Sequence, residues 1–378
     1  MDDIRQNKNI LSGNGAICKA GEILRTLGVA KPFVLTYNET ANPMAALTSL
    51  IPESSYIHRR ISGEPHLGDI DDAVLALREH GCDGVLALGG GSVMDTAKAV
   101  AMIANNGGEA VQYQMQGRAI VKPSLPLLMI PTTAGTGSEA TKVSVLYNEA
   151  NRYKKSIYSP YMIADAVILD PEVTLDLPPQ ITAYTGIDAL SHAIESYVSL
   201  DACPYTEMHS IKAVEMIGKS LIRAVKDGYD KKARADMLYA SYFAGCALHA
   251  GIGLTHIIAQ PLGGLLPIPH GAACSVFLPY SMEFNLEFSL EKYCNIARAL
   301  GLKSFENTYE NAVYAVNRVR EIIAEAGAPS SLEQYINNTA LDADDAAETV
   351  MKVTGHIKCN PRFVDKGIVK EVIIKTIK

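Results

Sequence analysis

Apolar and polar positions change rhythm partway along the chain. In the first half, short apolar runs of strand length alternate with stretches of helical period. Pro32 to Tyr37, Gly84 to Leu88, Leu125 to Ile130 and Ala166 to Leu169 read as buried strands. Ile70 to Glu79 and Ser92 to Ala104 repeat their apolar residues at helical spacing. Strand–helix–strand alternation predicts a parallel sheet with crossover helices. From about Thr182 the pattern is almost wholly helical, with long periodic stretches over Asp188 to Ser199, Met208 to Val225, Ala233 to Ala250 and Tyr309 to Ala326. Prolines cluster between Asp170-Pro171 and Pro178-Pro179, a natural connector. The expected organisation is therefore an α/β domain over residues 1–178 and an all-helical domain over 179–378, with a ligand cleft expected between them.

Composition narrows the class without changing this picture. The chain has 378 residues, enough for two domains. Its formal net charge is -7 and it has no long basic run, so nucleic acid is not an expected partner. No apolar stretch reaches the ~18 residues of a membrane span, and the polar, acidic start lacks a signal core. Seven cysteines without a CxxC spacing argue against a disulfide framework and against a cysteine-ligated zinc site, and suit reduced thiols in cytoplasm.

Two glycine-rich turns follow predicted strands. Gly89-Gly90-Gly91-Ser92 opens a helix, with Asp95 one turn on. Glycines permit close backbone approach, and the first N–H groups of a helix attract phosphate oxygens. Ser92 is the expected cap of that helix. Alone, the motif is equally a tight strand–helix turn. The second turn, Pro131 to Glu139, carries Thr132, Thr133, Thr136 and Ser138 among glycines. Two such turns at strand ends of one α/β domain suggest an extended phosphate-bearing ligand such as a dinucleotide.

The helical half carries a second constellation. Asp188 and His192 are spaced i, i+4 and share a helix face. A salt-bridged or capping pair is the plain reading of those two alone. His256 and His270 lie in apolar, glycine- and proline-punctuated segments, where a single histidine is usually a core or capping residue. Taken together, one carboxylate and three imidazoles from separate helical segments suit Fe(II), Zn(II), Mn(II) or Co(II).

At this level of detail the chain resembles the iron-containing (group III) alcohol dehydrogenases over nearly its whole length. The segments GGGSVMDTAKA, PTTAGTGSEAT, GIDALSHAIESYVS and HIIAQPLGGLLPIPHG occur in the family's order and spacing, and Asn360-Pro361-Arg362 is a weaker match. The resemblance implies an N-terminal dinucleotide-binding α/β domain and an all-helical metal domain, the architecture shared with dehydroquinate synthase. It implies that Asp188, His192, His256 and His270 ligate the metal, usually iron and sometimes zinc. It implies that Gly89, Gly90, Gly91, Ser92 and Asp95 hold the phosphates or nicotinamide end of NAD(H) or NADP(H). Thr132, Thr133, Thr136 and Ser138 would line the rest of the cofactor, with Lys154 near its ribose. It also implies a homodimer or larger assembly.

Two departures from the family pattern stand out. Many members carry a further histidine four residues after the third ligand, facing the nicotinamide and substrate. Here that residue is Gln260, which can hold a water but cannot act as a base near neutral pH. Where NAD-preferring members often place an Asp on the ribose 2′-hydroxyl, this chain has Tyr37, with Glu39 two residues on. The nicotinamide cofactor is thus expected to be either NAD(H) or NADP(H). The implied activity is interconversion of a small alcohol and its aldehyde. His249, Gln260 and Lys142 would make the pocket suit an aldehyde bearing a carboxylate, sulfonate or hydroxyl, unless they face solvent or the cofactor. The alternatives are a non-redox NAD- and zinc-using enzyme of the dehydroquinate synthase type, or a non-catalytic protein on the same scaffold.

Overall fold

The computed structural model describes residues 4–37, 42–58, 63–151, 153–303, 307–336, 341–353 and 357–377. The chain divides into two units. The first comprises Met1–Thr133 and Gly137–Asp176; the second comprises Ala134–Thr136 and Leu177–Lys378.

The first unit is built on strands β1 (Asn9–Ser12), β2 (Pro32–Thr36), β3 (Tyr56–His58), β4 (Gly84–Gly89), β5 (Leu127–Pro131) and β8 (Ala166–Leu169). They form one parallel sheet in the order β1-β8-β5-β4-β2-β3. Strands β2, β4, β5 and β8 are buried along their whole length, as a sheet covered on both faces requires. Helices α1 (Ala20–Thr26), α2 (Asn42–Thr48), α3 (Leu67–Glu79), α4 (Gly91–Asn106) and α5 (Ala110–Met115) lie between them in sequence. The chain runs from β2 outward to β3, then returns past β2 to β4 and proceeds the other way. The strand order therefore reverses between β2 and β4, and the carboxyl ends of these two strands flank the crevice where open α/β sheets bind ligands. A separate antiparallel hairpin, β6 (Val143–Asn148) and β7 (Tyr153–Tyr158), was not expected from the sequence.

The second unit is helical throughout the described residues. It opens with α6 (Pro179–Val198), α7 (Pro204–Lys226), α8 (Lys231–Ala247), α9 (Leu254–Leu265) and α10 (His270–Asn285). Pro179 sits in the first turn of α6, where its missing N–H costs nothing, so the helix begins well before the predicted Asp188. From Gly186 to Val198 every residue of α6 is buried. A helix buried on all sides is a core element, and any polar side chain on it must find partners inside. No single described helix is long and apolar enough to cross a membrane. No two of the seven cysteines are disulfide-bonded.

Candidate functional site

On the buried face of α6, Asp188 is 3% exposed and one of its oxygens gathers the donors of two other helices. Its Oδ1 lies 3.4 Å from His256 Nε2, 3.5 Å from His270 Nε2 and 3.8 Å from His192 Nε2. These separations are long for hydrogen bonds. They approach the edge of a tetrahedron with bonds of about 2.0–2.1 Å, roughly 3.3–3.4 Å, which is the spacing of nitrogen and oxygen donors sharing one ion. The ion pairs of Asp188 among the described residues run only to imidazoles. The donor set fits a divalent cation. The tightest group, with all donor atoms within 4.8 Å of one another, is Asp188, His256, His270 and Cys274. His192 stands beside it, its ring stacked on that of His256 with centroids 4.4 Å apart.

Local sequence explains how the rings converge. Asp188 and His192 share a face of α6 through their four-residue spacing. His256 sits in the first turn of α9, held by Glu195 of α6. One Glu195 oxygen accepts the Thr255 N–H at 2.6 Å, satisfying the uncapped end of α9. The other lies 2.6 Å from His256 Nδ1. The ring therefore donates its Nδ1 proton to the carboxylate and presents Nε2 toward Asp188. Asn360 accepts the neighbouring Leu254 N–H at 3.2 Å and is itself held by a reciprocal amide pair with Asn285. His270 is the first residue of α10, and Gly271 after it allows close docking: a Cβ there would lie 2.2 Å from the Tyr184 carbonyl of α6. His270 is the most open donor, its side chain 30% exposed against 2% for His256.

Electrostatics follow from burial and proximity. Burial pushes the Asp188 carboxyl up, but His192, His270 and His256 outweigh it and hold it below the usual carboxylate range. Burial pushes His192 down to about 4, so its ring is neutral and able to ligate. Burial opposes charging of His256, but Cys274, Asp188 and Glu195 raise it well above the usual histidine range. Burial also pushes the Cys274 thiol up to about 11.

In the first unit the two glycine turns lie at the carboxyl ends of β4 and β5. Gly90, not Ser92, takes the cap position of α4, and no side chain caps that helix. Ser92 lies inside the first turn, because the helix starts two residues earlier than a Ser92 cap would place it. The first N–H groups of α4 thus have no side-chain cap, and they open the helix directly after the carboxyl end of β4. Gly89 answers to packing: a Cβ there would lie 2.5 Å from the Val93 side chain. Gly90 lies against Thr133, whose side chain would be 3.2 Å from an added Cβ. Thr132 joins the strand ends through its N–H to the Gly89 carbonyl at 2.8 Å.

Other predicted cofactor residues turn inward. Asp95 accepts from Ser138 Oγ at 2.5 Å and from Val145 N–H at 3.0 Å, so these two side chains brace α4 against the second turn and the hairpin. Lys98, fully buried, lies 3.1 Å from Asp95 and donates to the Ser138 carbonyl, Thr141 Oγ1 and the Val143 carbonyl. Thr136 is half-buried and is grouped with the second unit. Lys154 is buried on β7 and pairs with Glu64 at 2.7 Å. Tyr37 stands exposed just past the end of β2, 49% accessible. Glu39 lies outside the described residues. Gln260 is half-buried one turn beyond His256 on α9; His249 and Lys142 are also half-buried.

Glu195, Asn360 and Cys274 were not among the residues predicted for the metal site. Glu195 had a signal, since an acid seven residues after Asp188 falls on the same face of an otherwise apolar helix. Cys274 had one too, four residues after His270.

Comparison with known proteins gives the family. The model for iron-containing alcohol dehydrogenases matches residues 7–171, and that for the C-terminal part of the Fe-containing alcohol dehydrogenase family matches residues 182–377. The chain belongs to the iron-containing alcohol dehydrogenase family. It is 42% identical over 323 residues to a probable alcohol dehydrogenase EutG of Escherichia coli, covering 84% of this chain and 80% of that protein. Its fold matches a 1,3-propanediol oxidoreductase with TM-score 0.93 and 30% identity, covering all of both chains. It also matches the NAD+ complex of sulfoacetaldehyde reductase from Bifidobacterium kashiwanohense, with TM-score 0.90, 28% identity and coverage of 100% and 99%. The family assignment favours alcohol dehydrogenase chemistry over the dehydroquinate synthase alternative.

Proposed function

We propose that this chain is a metal-dependent, NAD(P)-linked oxidoreductase that interconverts a small primary alcohol and its aldehyde, working as an aldehyde reductase. The observation that carries this reading is the convergence of three imidazoles on one oxygen of a buried carboxylate. Asp188, His192, His256 and His270 would hold Fe(II) or Zn(II), and the turn Gly89 to Ser92 at the start of α4 would hold the phosphates of NAD(H) or NADP(H). When bound, the cation supplies Lewis acidity toward a substrate oxygen and the dinucleotide supplies or accepts the hydride. Residues 1–178 then serve as the dinucleotide domain and 179–378 as the metal and substrate domain.

The protein's own contributions are binding and orientation. Glu195 fixes the His256 tautomer. The open flank of His270 gives a substrate access to the donor set. Gln260, one turn past His256, can orient a water for proton delivery but cannot itself take a proton near neutral pH. Tyr37, just past the end of β2, brings no carboxylate to repel a 2′-phosphate, while Glu39 could still bond a ribose 2′-hydroxyl, so the cofactor is NAD(H) or NADP(H). Half-buried Gln260 and His249 favour an aldehyde bearing a carboxylate, sulfonate or second hydroxyl. The names of two structural neighbours, a sulfoacetaldehyde reductase and a propanediol oxidoreductase, point the same way. The reading places the enzyme in the cytoplasm as a homodimer or larger assembly.

The test is NADH and NADPH oxidation by the iron- and zinc-loaded protein over small neutral, hydroxylated and anionic aldehydes. Turnover with a polar aldehyde is expected. Activity confined to simple alkyl aldehydes overturns the substrate assignment, and no oxidation with any aldehyde overturns the reaction.

A further inference from the structure

We propose that Cys274 is itself a donor to the cation, so that this chain's metal site contains a sulfur as well as nitrogen and oxygen. The inference rests on the metal site of the proposed function and concerns who occupies its coordination positions.

Cys274 lies four residues after His270 on α10, so both side chains face the same way along one helix flank. Its Sγ is 3.5 Å from Asp188 Oδ1, 3.7 Å from His256 Nε2 and 3.8 Å from His270 Nε2. A tetrahedral ion with bonds of about 2.0–2.1 Å to nitrogen or oxygen and about 2.3 Å to sulfur has S···N and S···O edges of roughly 3.5–3.6 Å. The three sulfur distances sit within a few tenths of an ångström of those edges, as the nitrogen–oxygen distances sit near theirs. The sulfur thus occupies the fourth corner of a donor polyhedron whose other corners are predicted ligands. His192 Nε2, at 3.8 Å from Asp188 Oδ1, lies farther out and would add a fifth, longer donor beside these four.

Cys274 is fully buried, yet its sulfur contacts three polar donor atoms. The absence of a CxxC spacing is no obstacle, because the pair here is a histidine and a cysteine one helical turn apart. Coordination forms the metal–sulfur bond and releases the thiol proton to solvent. A soft sulfur biases the set toward zinc rather than iron.

The test uses the full chain loaded with zinc and, separately, with cobalt(II). X-ray absorption of the zinc form is expected to show one sulfur scatterer at about 2.3 Å beside nitrogen and oxygen. The cobalt form is expected to show a near-ultraviolet thiolate-to-cobalt charge-transfer band that Cys274→Ser removes while the circular dichroism stays unchanged. Stoichiometric metal with nitrogen and oxygen scatterers alone, or a band that survives in Cys274→Ser, overturns the sulfur donor and leaves the proposed function standing. Failure of the wild-type chain to retain any metal overturns both. The absorption measurement needs no variant, so a misfolded substitution does not rescue the proposal.

Discussion

Glu195 satisfies two demands with one carboxylate. It caps the first turn of α9 and fixes the ring of His256, both at 2.6 Å. Outer partners of this kind typically change metal affinity by about 10–100-fold. Glu195→Gln is therefore expected to weaken zinc binding by about that factor, measured by competition with a chromophoric chelator. An unchanged dissociation constant would show that the hydrogen bond does not orient the ligand. Asp188 and His192 stood out by their four-residue spacing, whereas His256 and His270 stood out through the family motifs that carry them. Glu195 and Cys274 were harder to see. A glutamate in GIDALSHAIESYVS reads as an ordinary helix acid until burial is known, and the four-residue spacing of Cys274 from His270 points to a site only once both are seen to face Asp188.

At the scale of elements, the buried links around α4 decide the shape of the second glycine turn. Lys98, Asp95 and Ser138 tie that turn to the helix, and Glu139 lies among them, 2% exposed, with Oε1 lacking a hydrogen-bond partner. Burial pushes the Glu139 carboxyl up to about 7, partly opposed by Lys98. Between its ordinary value near 4.5 and about 7 the folded chain holds a proton that the unfolded chain has lost. Stability from this group is therefore complete below the ordinary value and falls as pH rises through 7. The loss is on the order of 1–3 kcal/mol. Glu139→Gln keeps the neutral shape, so its melting temperature should vary less than wild type between pH 5 and 8. Identical slopes for the two proteins would exclude this account.

Elements were also unequally legible from sequence. The strands β2, β4, β5 and β8 announced themselves as continuous apolar runs, because both sheet faces are covered. The hairpin β6–β7 did not. β6 alternates half-buried and buried positions, and β7 carries Lys154 and Lys155, so neither forms an apolar block. Strand β1 is a four-residue, mostly exposed edge with little hydrophobic signal. Ser92 misled as a cap because Gly90 and Gly91 had already turned the chain into the helix.

At the scale of the whole molecule, the alternation of strands and helices followed by unbroken helical period was enough to foresee the fold class. It arises because a parallel sheet needs crossovers, whereas a helical core needs only apolar faces. Substrate choice was not legible, since it depends on which half-buried side chains line a pocket, and helical period does not encode that.

The central claim is that a cation held by Asp188, His256 and His270 is required for hydride transfer with a nicotinamide cofactor. Its most direct test is metal content measured alongside NADH and NADPH oxidation in the same samples, with an accepted aldehyde, before and after chelation and again after adding back zinc or iron. The account predicts that bound metal and turnover vanish together and return together, while His256→Ala recovers neither. Full turnover in metal-free protein would contradict it.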